Sequence, residues 1–329
     1  MARPFVTVAM PCLNEAGFIE ACLRSVQAQT YPRDRLEILV ADGGSADGTP
    51  EILARLAAED ARIRVIDNPQ RIQAAGLNCA IRESRGEVIV RMDVHAEYAP
   101  DYVEKCVLTL ERTGADNVGG AQRCAARNSF HEAMCMALRS PLGAGGAPYR
   151  DASHEGFVDT VFLGAFRRQV FDRIGLYDEA SVANEDAEIN QRIVQSGGRI
   201  YLSPEIKVSY FPRGSFAGVA RQYFGYGHWR ARTFLKHRRL LTLRSVLPFL
   251  ILLAGLVLLL VEPRWALAAV LLYAALTGLE AMRVGRGLSA RGLATVWALF
   301  PVIQFSQGVG FGLGLMRYAL KPDWSPSPA

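Results

Sequence analysis

The sequence predicts an α/β protein, a three-layered and mostly parallel sheet flanked by helices and followed by helices at a membrane. Three observations carry this. Residues 1–212 alternate short apolar runs with segments of helical period, joined by short loops, as strands linked by crossover helices do. Residues 245–320 hold long stretches almost free of charge, of the length that crosses a bilayer. Charge divides at the same place. From Arg213 onward there are 14 Lys and Arg against 3 Asp and Glu, which leaves 23 against 29 of the 37 and 32 totals before it. The net +5 therefore joins an acidic part to a basic one. A nucleic-acid binder more often carries its basic surface on the soluble domain, so no nucleic-acid partner is expected. Basic residues beside apolar spans mark the cytoplasmic side of a membrane.

The elements follow in order. Residues 5–10 form a buried strand that ends at Pro11. A loop with Asn14 and Glu15 leads to a helix carrying Phe18, Ile19, Cys22, Leu23 and Val26 at helical spacing. Residues 36–40 make a second strand, ending in the glycine-rich turn Asp42-Gly43-Gly44-Ser45. The next helix starts with Thr49 as N-cap, Pro50 and Glu51. Residues 63–66 are a third strand, 72–82 a helix, and 87–92 a fourth strand that delivers Asp93-Val94-His95. A helix runs past Pro100 to about Arg112, with a strand near Val118. Residues 140–157, rich in Gly, Ala, Ser and Pro, read as a mobile loop and a lid. Residues 158–163 are a strand closing on Gly164-Ala165-Phe166-Arg167. Asn184-Glu185-Asp186 opens a helix that stops at Gly197-Gly198.

The basic, aromatic-rich segment 213–244 reads as amphipathic helix on an anionic bilayer; a core helix is the alternative. Three apolar spans follow, at 246–261, 265–282 and 293–316. By the positive-inside rule the basic clusters at 228–244 and 283–291 are both cytoplasmic, so the first two spans form a hairpin. The third holds Gln304, Gln307 and Gly308 to Gly314 at every second position. It either crosses or re-enters, and its polar and small residues serve a ligand headgroup or helix packing. The six cysteines lie before residue 136 with no C-x-x-C spacing, which predicts reduced thiols in a cytosolic domain. No signal peptide is expected from residues 1–5, which lead straight into a strand.

Chemistry concentrates in acids at the carboxyl ends of elements, where open α/β sheets bind ligands. Asp93 and His95 offer a hard oxygen and an imidazole nitrogen, a pair suited to Mn²⁺ or Mg²⁺ carrying a diphosphate. Asp42 is either an ordinary turn residue or an acceptor for the N–H edge of a base, with Gly43 and Gly44 admitting close backbone approach. Asp186, near a helix start, suits a general base for a hydroxyl within reach.

In this order, Pro11-x-x-Asn14-Glu15, Asp42-Gly-Gly-Ser-x-Asp47-Gly-Thr49, Asp93-x-His95, Gly164-x-Phe166-Arg167 and Asn184-Glu185-Asp186 resemble the motifs of family 2 glycosyltransferases. These are inverting enzymes of the GT-A fold. The resemblance covers residues 4–212, and reaches 239 if residues 221–230 are included. Those residues, with Val158-Asp159-Thr160 and the apolar spans, are most similar to membrane-bound succinoglycan-type exopolysaccharide glucosyltransferases. The resemblance implies a GT-A domain over 1–212, interface helices over 213–244, a transmembrane region over 245–320 and a tail over 321–329.

It also implies roles. Pro11 and Glu15 flank the nucleotide, Asp42 holds uracil, Asp47 stabilises its loop and Arg71 lies near the nucleotide. Asp93 and His95 bind the divalent metal, Asp186 is the base, and Glu185, Trp229 and Arg230 lie on the acceptor side. The donor implied is a UDP-sugar, of glucose in the succinoglycan-type case, and the acceptor a polyprenyl-diphosphate-linked sugar. The place is the inner, cytoplasmic membrane, with several spans, the catalytic domain facing the cytoplasm and other polysaccharide-assembly enzymes as partners. Two departures stand out. His95 occupies a position where Asp is commonest, and the Gln-x-x-Arg-Trp motif of processive synthases is absent, which favours one sugar per encounter. The rival readings are a polyprenyl-phosphate sugar synthase and a catalytically silent, membrane-tethered subunit that binds sugar nucleotide.

Overall fold

The computed structural model describes residues 3–324 except Gly145 and residues 240–242. These form two compact units. One runs up to Arg123 and resumes over Asp151–Tyr210; the other combines Cys124–Arg150 with Phe211–Trp324.

The chain begins β1 (Val6–Cys12), α1 (Ile19–Gln27), β2 (Leu36–Asp42), α2 (Thr49–Glu59), β3 (Ile63–Asp67), α3 (Gln73–Glu83) and β4 (Val88–Arg91). It continues with β5 (Ala96–Tyr98), α4 (Tyr102–Thr113), β6 (Asn117–Gly120), β7 (Gln122–Cys124), α5 (Ser129–Arg139), α6 (Pro141–Ala144) and β8 (Gly156–Val158). Next come β9 (Phe162–Arg167), α7 (Arg168–Ile174), α8 (Glu185–Gln195), β10 (Ile200–Leu202) and β11 (Val208–Tyr210). The remaining helices are α9 (Phe216–His237), α10 (Leu247–Val261), α11 (Pro263–Val284) and α12 (Ala290–Leu320).

In the first unit eight strands form one sheet in the order β3-β2-β1-β4-β9-β6-β10-β8, and a small sheet has the order β5-β11-β7. Strands β1 to β4 are parallel. β9 then runs antiparallel to both β4 and β6, and β8 antiparallel to β10. The sheet is therefore mixed. An apolar run carries no direction; the connection that delivers it does. On one face Val8, Met10, Ile38, Val40 and Val90 pack with Leu23, Val26, Leu53 and Leu56 in one core, and the alternate residues Ala9, Leu39 and Ile89 on the other face are buried too. Each such side chain contributes about 1.5–3 kcal/mol on burial.

Three local expectations shift. The strand expected over 158–163 is divided, with β8 ending at Val158 and β9 starting at Phe162. The 140–157 segment, expected as a loop and lid, carries α6, a 3-10 turn at Pro148–Arg150 and the start of β8. Pro141 opens α6, where its fixed φ suits a helix start. Thr49 is the first residue of α2 and not its cap, because its hydroxyl donates to Asp47 Oδ1 (2.6 Å) and accepts from the Glu15 N–H (2.8 Å).

In the second unit, Ala133, Met134, Ala137 and Leu138 of α5 pack with Val296, Leu299, Phe300 and Ile303 of α12. This groups residues 124–150 with the C-terminal helices, although they precede residue 212 in sequence. α11 and α12 are long and apolar enough to cross a membrane; α10, with 15 residues, is shorter. Leu256, Val257, Leu271 and Leu272 expose half or more of their surface, the pattern of a helix surface whose solvent is lipid. The 293–316 span lies inside α12, an unbroken helix of 31 residues.

Its glycines serve packing. A methyl group on Gly310 would overlap the Phe224 carbonyl oxygen, and one on Gly227 the Gln307 carbonyl oxygen, so α9 and α12 touch backbone to backbone. Gly310→Val is expected to force these helices apart, at a cost of about 3 kcal/mol. Thermal unfolding in detergent would register this as a lowered Tm; an unchanged Tm would contradict it.

Candidate active site

β1 lies between β2 and β4, so the carboxyl ends of the three strands adjoin. Pro11 is in register with Ala41 and Cys12 with Asp42. The two loops that leave these ends are tied together. The Asn14 N–H donates to Ser45 Oγ (2.7 Å), the Ala46 N–H to Asn14 Oδ1 (2.9 Å) and the Ala16 N–H to Asp47 Oδ2 (3.1 Å). Asn14 reaches this geometry with a left-handed φ of 55°, which asparagine tolerates better than most residues. The Thr49 hydroxyl, followed by backbone N–H groups, lowers the pKa of Asp47 and keeps it ionised as the knot of these loops.

Asp42 accepts from the N–H groups of Gly44 and Ser45 (both 3.1 Å) and from the Ser45 hydroxyl (2.6 Å). Its carboxylate thus shapes its own turn while remaining at the strand end. Arg71 has a left-handed φ of 59°, and its Nη2 donates to the Gly44 carbonyl at 3.4 Å. Burial raises the Cys12 thiol to about 12 and pushes Cys22 higher still, so both are inert apolar packing.

The acids gather around a residue that the sequence reading passed over. Arg91, the last residue of β4, has a side chain only 3% exposed. Its Nε donates to Asp93 Oδ1 (3.2 Å), its Nη2 to Glu185 Oε1 (2.9 Å) and its Nη1 to Asp186 Oδ1. Burial opposes its charge, but Asp93 and then Glu185 outweigh that and raise its pKa above the ordinary arginine value. Glu185 and Asp186 occupy the first turn of α8, where the helix dipole favours carboxylates.

Two more supports were missed. Gln73 Nε2 at the start of α3 donates to Asp93 Oδ1 (3.1 Å). The Tyr98 hydroxyl accepts from the Asp93 N–H (2.6 Å) and donates to the Asp93 carbonyl (3.1 Å), fixing the loop backbone. Only Tyr98 left a signal in outline, since a buried tyrosine hydroxyl needs a partner.

His95 Nε2 lies 2.9 Å from Glu15 Oε1, and its ring meets the edge of Phe18 at 4.6 Å between centroids. Glu15 thereby links the β1 loop to the Asp93–His95 loop. Among the described residues no group of three or more His, Cys, Asp or Glu is placed to hold a metal ion by itself. The side chains of Asp93 and His95 are nonetheless 27% and 39% exposed. A carboxylate with a nearby imidazole fits a Mn²⁺ or Mg²⁺ that takes most of its ligands from phosphate and water. Trp229 and Arg230 belong to α9 of the second unit, where Trp229 packs on Tyr318 with centroids 6.0 Å apart.

Comparisons with known proteins give the family and the fold. The sequence profile of "Glycosyl transferase family 2" matches residues 7–175. The chain is 39% identical over 243 residues to the succinoglycan biosynthesis protein ExoA of Rhizobium meliloti (strain 1021), covering 73% of each chain. It is 26% identical over 231 residues to a Methanococcus voltae protein, covering 68% of this chain and 72% of the other. That protein is named dolichyl N-acetyl-alpha-D-glucosaminyl phosphate 3-beta-D-2,3-diacetamido-2,3-dideoxy-beta-D-glucuronosyltransferase. Among solved structures, a mannosyltransferase from Pyrobaculum calidifontis, PcManGT, in complex with GDP-Man and Mn²⁺, superimposes with a TM-score of 0.58. It is 24% identical, and the match covers 99% of this chain and 88% of that one, a likeness of fold.

Proposed function

The chain belongs to glycosyl transferase family 2, and from that premise we propose that it moves one sugar, glucose by its succinoglycan-type sequence resemblance, from a UDP-sugar to a lipid-linked oligosaccharide during exopolysaccharide assembly. The observation that carries the proposal is the cluster of Asp93, Glu185 and Asp186 around buried Arg91, beside the tied β1 and β2 loops. Such a cluster brings a metal-binding acid and a base into one small region, as a displacement at an anomeric carbon requires.

Asp42 and Arg71, with Pro11 and Glu15, receive the nucleotide. Asp93 and His95 hold the divalent metal, which when bound supplies positive charge against that growing on the leaving diphosphate. Asp186 takes the proton of the acceptor hydroxyl as its oxygen attacks. A positioned base of this kind contributes about 10²–10⁴-fold. A single displacement from the face opposite the diphosphate inverts the anomeric configuration. Glu185, Trp229 and Arg230 are the acceptor-side residues of this reading, the last two resting on the resemblance alone.

The apolar helices favour a lipid-borne acceptor, and the name of the Methanococcus voltae relative describes one on dolichyl phosphate. Basic clusters near Arg230 and Arg283 support a catalytic side in the cytoplasm, on an inner membrane crossed more than once.

The test uses the purified full chain with Mn²⁺ and a panel of UDP-sugars, reading UDP release with and without polyprenyl-diphosphate-linked sugars. Release that needs one donor and that acceptor supports the proposal. Release with polyprenyl monophosphate instead makes the protein a polyprenyl-phosphate sugar synthase. UDP binding without turnover across the panel makes it a silent subunit.

A further inference from the structure

We infer that Arg91 is a positioning residue that sets the orientation of Asp186, with Glu185 as the second anchor of its guanidinium. This rests on the reading of Asp186 as the base. The geometry is specific. Arg91 ends a strand whose other residues are all buried and apolar, so its charge is retained there only with partners. Its three nitrogens serve three carboxylates: Nε donates to Asp93, Nη1 to Asp186, and Nη2 to Glu185 with a longer bond to Asp93 Oδ2 (3.4 Å).

Of the three acids, Glu185 is the most enclosed, with a side chain 6% exposed, so it shapes the acceptor side through its hold on Arg91. Asp186, at 29%, remains open on one side. The fork therefore pins Asp186 Oδ1 and leaves Oδ2 to face the acceptor hydroxyl. It also fixes the first turn of α8 to the end of β4, so that the base and Asp93 keep one spacing. A flat guanidinium can hold three carboxylates at set angles; an ammonium supplies the same charge but not the fork.

The consequence is selective. Weakening the fork lets Asp186 swing while the loops of β1 and β2, which share no bond with Arg91, still bind nucleotide. Arg91→Lys is expected to lower kcat about 10- to 100-fold, the usual cost of losing such a supporting partner. The Kd for UDP, measured by calorimetry, and the donor KM are expected to change less than about threefold. Because Arg91 acts through Asp186, the double variant Arg91→Lys/Asp186→Asn is expected to turn over at the residual rate of Asp186→Asn alone.

Glu185→Gln provides a second variant if Arg91→Lys does not fold. It leaves Arg91 in place but weakens its other anchor, and the same loss of kcat with unchanged UDP affinity is expected. Losses that multiply in the double variant, a parallel loss of UDP affinity, or a wild-type kcat in either single variant would overturn the inference. The base reading fails separately, and is recognised by wild-type turnover in Asp186→Asn itself.

Discussion

Asp186→Asn is expected to lower kcat for sugar transfer by about 10²–10⁴-fold while UDP still binds with near wild-type affinity. The amide is nearly the same shape as the carboxylate, so α8 keeps its first turn. What changes is proton affinity, since an amide oxygen does not take the proton of an attacking hydroxyl at neutral pH. One carboxylate leaves the neighbourhood of Arg91, but Asp93 and Glu185 still compensate its buried charge. Nucleotide binding is expected to survive because the loop ties among Asn14, Ser45, Asp47 and Thr49 do not include Asp186. Steady-state kinetics beside a UDP titration check both halves. Turnover at the normal rate would remove Asp186 from its role.

Asp93→Asn is the other large effect, about 10²–10³-fold in kcat/KM. Here the loss reaches donor affinity as well, since Asp93 is the hard oxygen of the Asp93–His95 pair. The variant also takes one negative charge from the neighbourhood of Arg91. Raising Mn²⁺ is expected to recover part of the donor affinity in Asp93→Asn and none of the kcat in Asp186→Asn. Isothermal titration of UDP at several Mn²⁺ concentrations reads the difference. An Mn²⁺-independent donor affinity in the wild-type protein would remove the metal role of Asp93.

The contrast between these residues and Arg91 shows what the sequence makes legible. The strands that end at Pro11, Asp42 and Asp93 are local signals: an apolar run, then a glycine or an acid that breaks it. The helix at Asn184-Glu185-Asp186 is equally local, with carboxylates in its first turn. Arg91 has no such mark. Its partners on α8 lie 94 and 95 positions away, and nothing in its neighbours distinguishes it from a strand-end cation reaching solvent.

Strand direction was hidden for the same reason, since β9 becomes antiparallel only through its long connection from β4. The grouping of residues 124–150 with the apolar helices depends on which face of α5 meets α12, a non-local pairing. The role of the α12 glycines was open between packing and headgroup contact. The backbone approach of Phe224 to Gly310 resolves that position as packing.

The central claim is a single displacement at the anomeric carbon, with Asp186 taking the proton of the attacking hydroxyl. Its most direct test is the anomeric configuration of the first product formed from an α-linked UDP-sugar, read by proton NMR of the glycan released from the lipid acceptor. The account predicts a β-linked sugar. An α-linked product, formed with retention, would contradict it.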